Sequence, residues 1–184
     1  SALPARSEMC IRDRHKSDLR KFGSEHRKLV YARQDSSLVT ETDCPFCEIV
    51  KHEDFDAREV YRDGLSVAFF PTEPATLGHT LLIPRIHVPN IWKLPREVAS
   101  HLGVVTVRLA SAIKEAVDPD GLNVIQSNGV AATQTVPHLH IHLVPRWEGD
   151  ALGRIWPPET HYSDEEKDAV WQSLKAECKK LGNE

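Results

Sequence analysis

The chain lacks any run of about 18 apolar residues, so no part of its 184 residues reads as a transmembrane helix. It has no apolar stretch from Ser1 to Arg14, so no secretory signal is expected. It has no positive excess: 23 Lys and Arg against 27 Asp and Glu give a formal net charge of −4. That balance leaves no nucleic-acid footprint, yet it does not forbid a small anionic ligand in a site of its own local charge. Repeats and low-complexity tracts are also absent. Cysteine is scarce, with four residues, and four thiols without a secretory signal point to a reducing compartment such as the cytoplasm. The composition, 40% apolar and 27% charged, is that of a chain that buries a core. What is plentiful is histidine, with ten residues.

The charge is uneven. Residues 1–43 carry nine Lys and Arg against seven Asp and Glu, while the rest of the chain is acidic. This stretch has few apolar residues and weak periodicity, so it reads as a solvated extension, helical around Asp18 to Val30 or mobile, rather than as a nucleic-acid arm. A domain over 44–150 and a loop with a terminal helix over 151–184 follow. In the domain, Glu59 to Arg62 and Leu65 to Phe70 flank Asp63-Gly64, a strong hairpin signal. Pro71 to Gly78 is a loop and His79 to Pro84 a short strand. Val98, Leu102, Val105, Leu109, Ala112, Ile113 and Ala116 recur at helical spacing, which predicts a helix over Arg96 to Val117, stopped by Asp118-Pro119-Asp120-Gly121. Leu122 to Gln126 and Val136 to Val144 read as strands around a polar loop, Ser127 to Thr133. Ser163 with Glu166 is a capping box for a last helix with an apolar stripe of Val170, Leu174, Cys178 and Leu181, and Gly182 is its stop. Antiparallel hairpins with one long and one terminal helix indicate an α+β fold.

The sharpest feature is His138-Leu139-His140-Ile141-His142-Leu143-Val144-Pro145. Side chains of a strand alternate between faces, so His138, His140 and His142 share one face and Leu139, Ile141 and Leu143 the other. Three readings stay open on spacing alone: a polar surface strand, a metal site made by all three rings, and a catalytic row. For the last, a neutral imidazole is a nucleophile near pH 7 that can approach a phosphate, and its neighbour can stabilise charge. Just upstream, Asn128-Gly129 and Gln134-Thr135 offer amides and a hydroxyl as neutral donors to phosphate oxygens, although an ordinary turn has the same composition.

The row His138-Leu139-His140-Ile141-His142-Leu143-Val144 resembles the motif of the histidine triad family, in which three histidines alternate with apolar residues. Gly78-His79-Thr80-Leu81-Leu82-Ile83-Pro84 and Gln134-Thr135-Val136 support the resemblance in the same order, from Cys44 to about Trp147. It is closer to the bacterial and Hint-like nucleotide hydrolases than to the galactose-1-phosphate uridylyltransferases, whose motif carries Pro between two histidines. The resemblance implies a five-stranded antiparallel sheet with helices, a homodimer, and hydrolysis or transfer of a nucleoside-phosphoryl group from a phosphoramidate, dinucleoside polyphosphate or adenylate. It implies that His140 attacks the α-phosphorus and forms a nucleotidyl-histidine, that His142 contacts the phosphate, and that the backbone carbonyl at His138 orients His140. It implies for Thr135 a contact to the phosphate or the leaving group and for His79 a partner role behind the row, with Gln134, Ser127, Asn128 and Gly129 as the further substrate-binding candidates of the loop.

Cys44-Pro45-Phe46-Cys47 alone is ambiguous: a redox pair, half a zinc site, or two buried thiols. In similar bacterial proteins the pair joins the histidine of a Pro-basic-x-His segment and the first histidine of the row. By that resemblance Cys44, Cys47, His87 and His138 hold a structural zinc, a closed set of two thiolates and two imidazoles.

The chain also departs from the pattern. The ribose-holding Asp or Asn of this branch falls on Pro71, which has no side-chain acceptor, with Glu73 two residues on. The polar residue that opens the phosphate loop is Ser127, and the Gly before Gln134 is Thr133. The Trp156-Pro157-Pro158 segment reads either as a surface loop whose tryptophans are anchored in the core or, by the resemblance, as a segment that in Hint-like relatives lies near the active site of the partner subunit. Two other readings therefore accompany the hydrolase: an enzyme of this fold acting on a non-nucleotide substrate, and a nucleotide-binding protein without turnover.

Overall fold

The structure is a computed structural model and describes residues 43–52, 57–157 and 159–181. The expected helix over Asp18 to Val30, Cys10, Pro158 and the stop at Gly182 lie outside these residues.

The described chain opens on a short helix, α1 (Pro45–Lys51), whose first residue is a proline, tolerated where an N–H has no intrahelical acceptor. Sequence periodicity did not register this helix, because seven residues hold too few turns. Strands β1 (Glu59–Arg62) and β2 (Ser66–Phe69) form the hairpin expected at Asp63-Gly64. Asp63 builds that turn. One carboxylate oxygen accepts from the N–H groups of Leu65 (2.9 Å) and Ser66 (2.8 Å). The other accepts from the Tyr61 hydroxyl (2.7 Å) and from His101 Nε2 (2.8 Å) on the long helix. Burial pushes the Asp63 carboxyl up, but the donors from Tyr61, Leu65 and Ser66 outweigh it and hold it well below the usual carboxylate range.

The sheet is completed by β3 (Thr80–Pro84), β4 (Gly121–Gln126) and β5 (Ile141–Arg146) in the antiparallel order β1-β2-β3-β5-β4. Helix α2 (Arg96–Val117) has the predicted bounds and packs against β3 and β5. It buries Val98, Leu102, Val105, Leu109 and Ile113, whereas Ala112 and Ala116 are exposed. These side chains join Ala68, Leu82, Leu139 and Leu143 in the main core. A second cluster, Val67, Phe69, Leu81 and Ile83, receives Phe46, Ile49 and Val50 of α1. Successive strand residues fall in different clusters, as strand alternation requires, so α1 and α2 cover opposite faces.

Strand β5 starts at Ile141 rather than at Val136. Pro137 has no N–H for a ladder. The N–H of Leu139 goes to the Val88 carbonyl at 2.6 Å, and the Pro84 carbonyl is taken by the His138 ring at 2.9 Å. Leu139 still points into the α2 core, while His138 and His140 meet Phe46 on the α1 side. The predicted separation of faces is therefore kept without a ladder.

The loop before the row holds Thr133 in the left-handed region, at φ 65° and ψ 23°. A β-branched residue there costs about 1–2 kcal/mol, against roughly 0.5–1 kcal/mol for the extra unfolded-state freedom of glycine. Thr133→Gly is expected to raise stability by about 0.5–1 kcal/mol, read as a higher denaturant midpoint at unchanged slope. A lower midpoint would mean that the threonine is not strained.

The described residues divide into two compact units that meet in sequence at Trp147 and Glu148. In the second, α3 (Asp164–Leu181) opens on the predicted capping box: Ser163 N–H donates to Glu166 Oε2 (2.8 Å), and Glu166 N–H to Ser163 Oγ (3.2 Å). Its stripe of Val170, Leu174, Cys178 and Leu181 is exposed. Among the described residues no helix is long and apolar enough to cross a membrane.

Candidate active site and metal centre

The three alternating histidines, His79 and the two cysteines meet on the α1 face of the sheet. His142 lies in β5 opposite Leu81 of β3, which places it beside His79, the residue just before that strand. Gly78 makes this approach possible. It sits at φ +85°, and a Cβ there would stand 3.2 Å from Pro145 Cγ, so a larger residue would push His79 away from β5.

Hydrogen-bond partners set the tautomer of each neutral ring, because a carbonyl only accepts and a backbone N–H only donates. His140 Nδ1 faces the His138 carbonyl at 2.7 Å, so Nδ1 carries the proton and Nε2 keeps its lone pair. The Ala75 N–H donates to His79 Nδ1 at 3.1 Å, so His79 carries its proton on Nε2. That proton is donated to His142 Nδ1 at 3.0 Å, which leaves His142 with an N–H at Nε2. His138 donates from Nε2 to the Pro84 carbonyl, leaving its Nδ1 lone pair for the cysteines. The row therefore presents a bare nitrogen on His140 next to an N–H donor on His142. Their ring centroids are 4.9 Å apart.

Burial keeps the rings neutral. It pushes His138 and His142 down to about 4, helped at His138 by His87 and His140 and at His142 by His140 and His79. Burial also lowers His140, against the opposing pull of its bond to the His138 carbonyl, and lowers His79 with help from His140. A neutral His140 is a nucleophile at pH 7 with no proton to lose first.

Behind the row, Cys44 Sγ and Cys47 Sγ lie 3.5 and 3.6 Å from His138 Nδ1, and Cys47 Sγ lies 3.2 Å from His87 Nδ1. All four ligand atoms fall within 4.8 Å of one another. A tetrahedral zinc with bonds of about 2.3 Å to sulfur and 2.0–2.1 Å to nitrogen has sulfur–nitrogen edges of about 3.5 Å. The donor set and its spacing thus fit zinc, with no coordination position left for a substrate. The bond from His138 to the Pro84 carbonyl is the outer partner that orients a ligating imidazole. Among the described residues Cys44, Cys47 and Cys178 form no disulfide.

The upstream loop holds its amides inward. Gln134 accepts the Gly129 N–H (2.8 Å) and donates to the carbonyls of Pro89 (2.7 Å) and Val136 (3.0 Å). Asn128 accepts the Ile91 N–H at 2.8 Å and donates to Gln126 at 2.6 Å. These side chains fasten the loop to the segment after His87. Thr135 is exposed beside the row and Ser127 is half-buried. Glu73 is exposed on the loop before His79 and Pro71 is half-buried. Trp156 is exposed and belongs to the second unit. Sequence reasoning missed two contributors: the Ala75 N–H that orders the His79–His142 pair, and Phe46, whose only signal was its place between the cysteines.

A family model described as "HIT domain" matches residues 52–149. The chain belongs to the histidine triad family. Among HIT relatives, the adenylylsulfatase of Arabidopsis thaliana is 33% identical over 124 residues, 67% of this chain and 61% of that protein. The adenosine 5'-monophosphoramidase of Candida albicans is 30% identical over 152 residues, 80% of this chain and 99% of that one. A crystal structure of a HIT family protein from Bacillus anthracis superposes with a TM-score of 0.66 at 36% identity, covering 73% of this chain and 96% of the other. A zinc-bound histidine triad family protein from Mycobacterium smegmatis superposes with a TM-score of 0.57 at 34% identity, covering 74% and 99%. The expected five-stranded antiparallel HIT fold is the observed one.

Proposed function

We propose that the protein is a HIT-type hydrolase or nucleotidyl transferase that works through a nucleotidyl-histidine on His140. The observation that carries this reading is the 2.7 Å bond from His140 Nδ1 to the His138 carbonyl, which commits the proton to Nδ1 and leaves the lone pair on Nε2. In the proposed first step that nitrogen attacks the α-phosphorus, and the bond to the leaving group breaks with its electron pair. His142, held by His79, offers Nε2–H to a phosphoryl oxygen, and Thr135 offers a hydroxyl. Water then attacks the phosphorus and gives up a proton to solvent, the bond from phosphorus to His140 Nε2 breaks with its electron pair returning to that nitrogen, and the nucleoside monophosphate leaves. Gln134, Asn128, Ser127 and Gly129 shape the loop beside the phosphate. The names of the adenylylsulfatase and monophosphoramidase relatives favour an adenylyl group on nitrogen or sulfate as the substrate class.

Cys44, Cys47, His87 and His138 would hold the zinc, which when bound supplies a rigid cross-link and no open position. A homodimer suits the exposed Val104 and Val107 on the outer face of α2 and the edge strand β4 with its exposed Val124. The lack of a disulfide among the described cysteines suits the cytoplasm.

The test is a quench of the full chain during turnover of adenosine 5'-phosphoramidate, a dinucleoside tetraphosphate and an acyl-adenylate, followed by peptide mass spectrometry. The expected result is an adenylyl adduct on the peptide containing His140. Turnover without an adduct on that peptide, or adenosine monophosphate binding with no turnover on any of the three, would overturn the reading.

A further inference from the structure

Phe46 stands at the meeting point of the metal centre and the catalytic row. It is a residue of α1 flanked by the ligands Cys44 and Cys47. Its ring meets three others edge-on: His140 at 5.4 Å and 85°, His138 at 5.8 Å and 70°, and Phe69 at 5.5 Å and 72° between centroids and planes. Phe69 belongs to the core cluster on that face, so Phe46 is backed by the sheet. Such edge-to-face pairs have a preferred geometry and resist tilting.

His140 needs this support. Its one ring bond, from Nδ1 to the His138 carbonyl, sets the tautomer but lets the ring pivot about that bond. His142 stands on one neighbouring position, 4.9 Å away, and Phe46 fills another. The position of Phe46 is in turn set by Cys44 and Cys47, which bracket Pro45-Phe46 and both face His138 Nδ1 at 3.5–3.6 Å. Arg62 adds a second anchor for the helix by donating to the carbonyls of Ile49 (3.0 Å) and Val50 (3.1 Å).

The geometry points to Phe46 as a positioning residue for the nucleophile: the two cysteines that flank it hold its ring against the His140 imidazole, so occupancy of the Cys/His centre is transmitted to catalysis. The centre then touches His140 by two routes, through the main chain of His138 and through the ring of Phe46. The inference rests on the reading of His140 as the nucleophile, so its test also reads His140 without turnover.

The experiment uses the full zinc-loaded chain, Phe46→Leu and Phe46→Tyr. Zinc content, kcat and KM on adenosine 5'-phosphoramidate, and the His140 Nδ1–H nuclear magnetic resonance signal are measured on each. Phe46→Leu is expected to keep its zinc, lose about tenfold in kcat with KM within about twofold, and broaden the His140 signal. Phe46→Tyr, which keeps the ring, is expected to restore both kcat and a sharp signal. Wild-type protein stripped of zinc by a chelator is expected to show the same broadening, a result that stands whether or not the chain turns over any nucleotide. A rise in KM at unchanged kcat would make Phe46 a mere ligand contact. Loss of zinc in Phe46→Leu would make it a structural prop, and a sharp His140 signal in the stripped protein would show that the centre does not reach the nucleophile. Each of these outcomes overturns the inference.

Discussion

His140→Asn is expected to lower turnover of an adenylyl substrate by about 10⁴-fold or more while leaving the fold intact, because it removes the nucleophile but keeps the bond to the His138 carbonyl. The asparagine amide nitrogen can take the place of Nδ1 and donate to the His138 carbonyl, so the buried acceptor stays satisfied. What disappears is Nε2. The same substitution at His142 removes an N–H donor rather than a nucleophile, and its expected cost is smaller, about 10²–10³-fold. The pH profile of the wild type supplies an independent check. His140 acts as a neutral ring, and burial lowers its affinity for protons. Falling pH removes the neutral form, and a lowered value moves that loss to more acid solution. The acid limb of kcat/KM is therefore expected below the ordinary imidazole value of about 6.5. Equal losses at positions 140 and 142, or an acid limb at or above that value, would refute the assignment of His140 as the attacking group.

The site was legible in the sequence where chemistry and periodicity coincide. Alternation placed His138, His140 and His142 on one face, and the structure groups them there, even though only His142 lies in the ladder of β5. The pattern held because Pro137 and the Leu139-to-Val88 bond keep the segment from coiling, which no period-2 count could reveal. Likewise the spacing of Val98, Leu102, Val105, Leu109 and Ile113 fixed α2 along its whole length, because a half-buried helix of 22 residues repeats its signal many times. Short elements gave no such repetition. Helix α1 went unseen, and with it the placement of Phe46 against His140. His101 had no readable partner in the sequence, since its bond to Asp63 joins positions 38 residues apart. The amides of Gln134 and Asn128 look like phosphate donors by composition, yet they tie the loop to Pro89 and Ile91. Only tertiary contacts decide between those two uses of an amide.

The second large effect is expected at the metal centre. The full chain should purify with one zinc, and Cys44→Ser should lose it, together with about 4 kcal/mol or more of stability. The size follows from what the ion would replace. Cys44 and His138 are wholly buried, and Cys47 is nearly so. Without a cation, the His138 Nδ1 lone pair faces two sulfurs in a site closed to water, where only weak S–H donors can satisfy it. With zinc, the same three groups and His87 become ligands at the separations already present. The domain keeps two apolar clusters of its own, so stripped protein is expected to be weakened rather than unfolded, unlike an isolated zinc finger. The sign of the pH dependence is also fixed. Ligation needs deprotonated thiols and neutral imidazoles, so zinc affinity falls as pH falls. His138, pushed down to about 4, does not compete for protons near neutrality and adds to the loss only in that acid range. Metal analysis and chelator-shifted denaturation of wild type and Cys44→Ser read these effects directly. Unchanged zinc content in the variant, or a wild-type midpoint that a strong chelator does not move, would refute the centre.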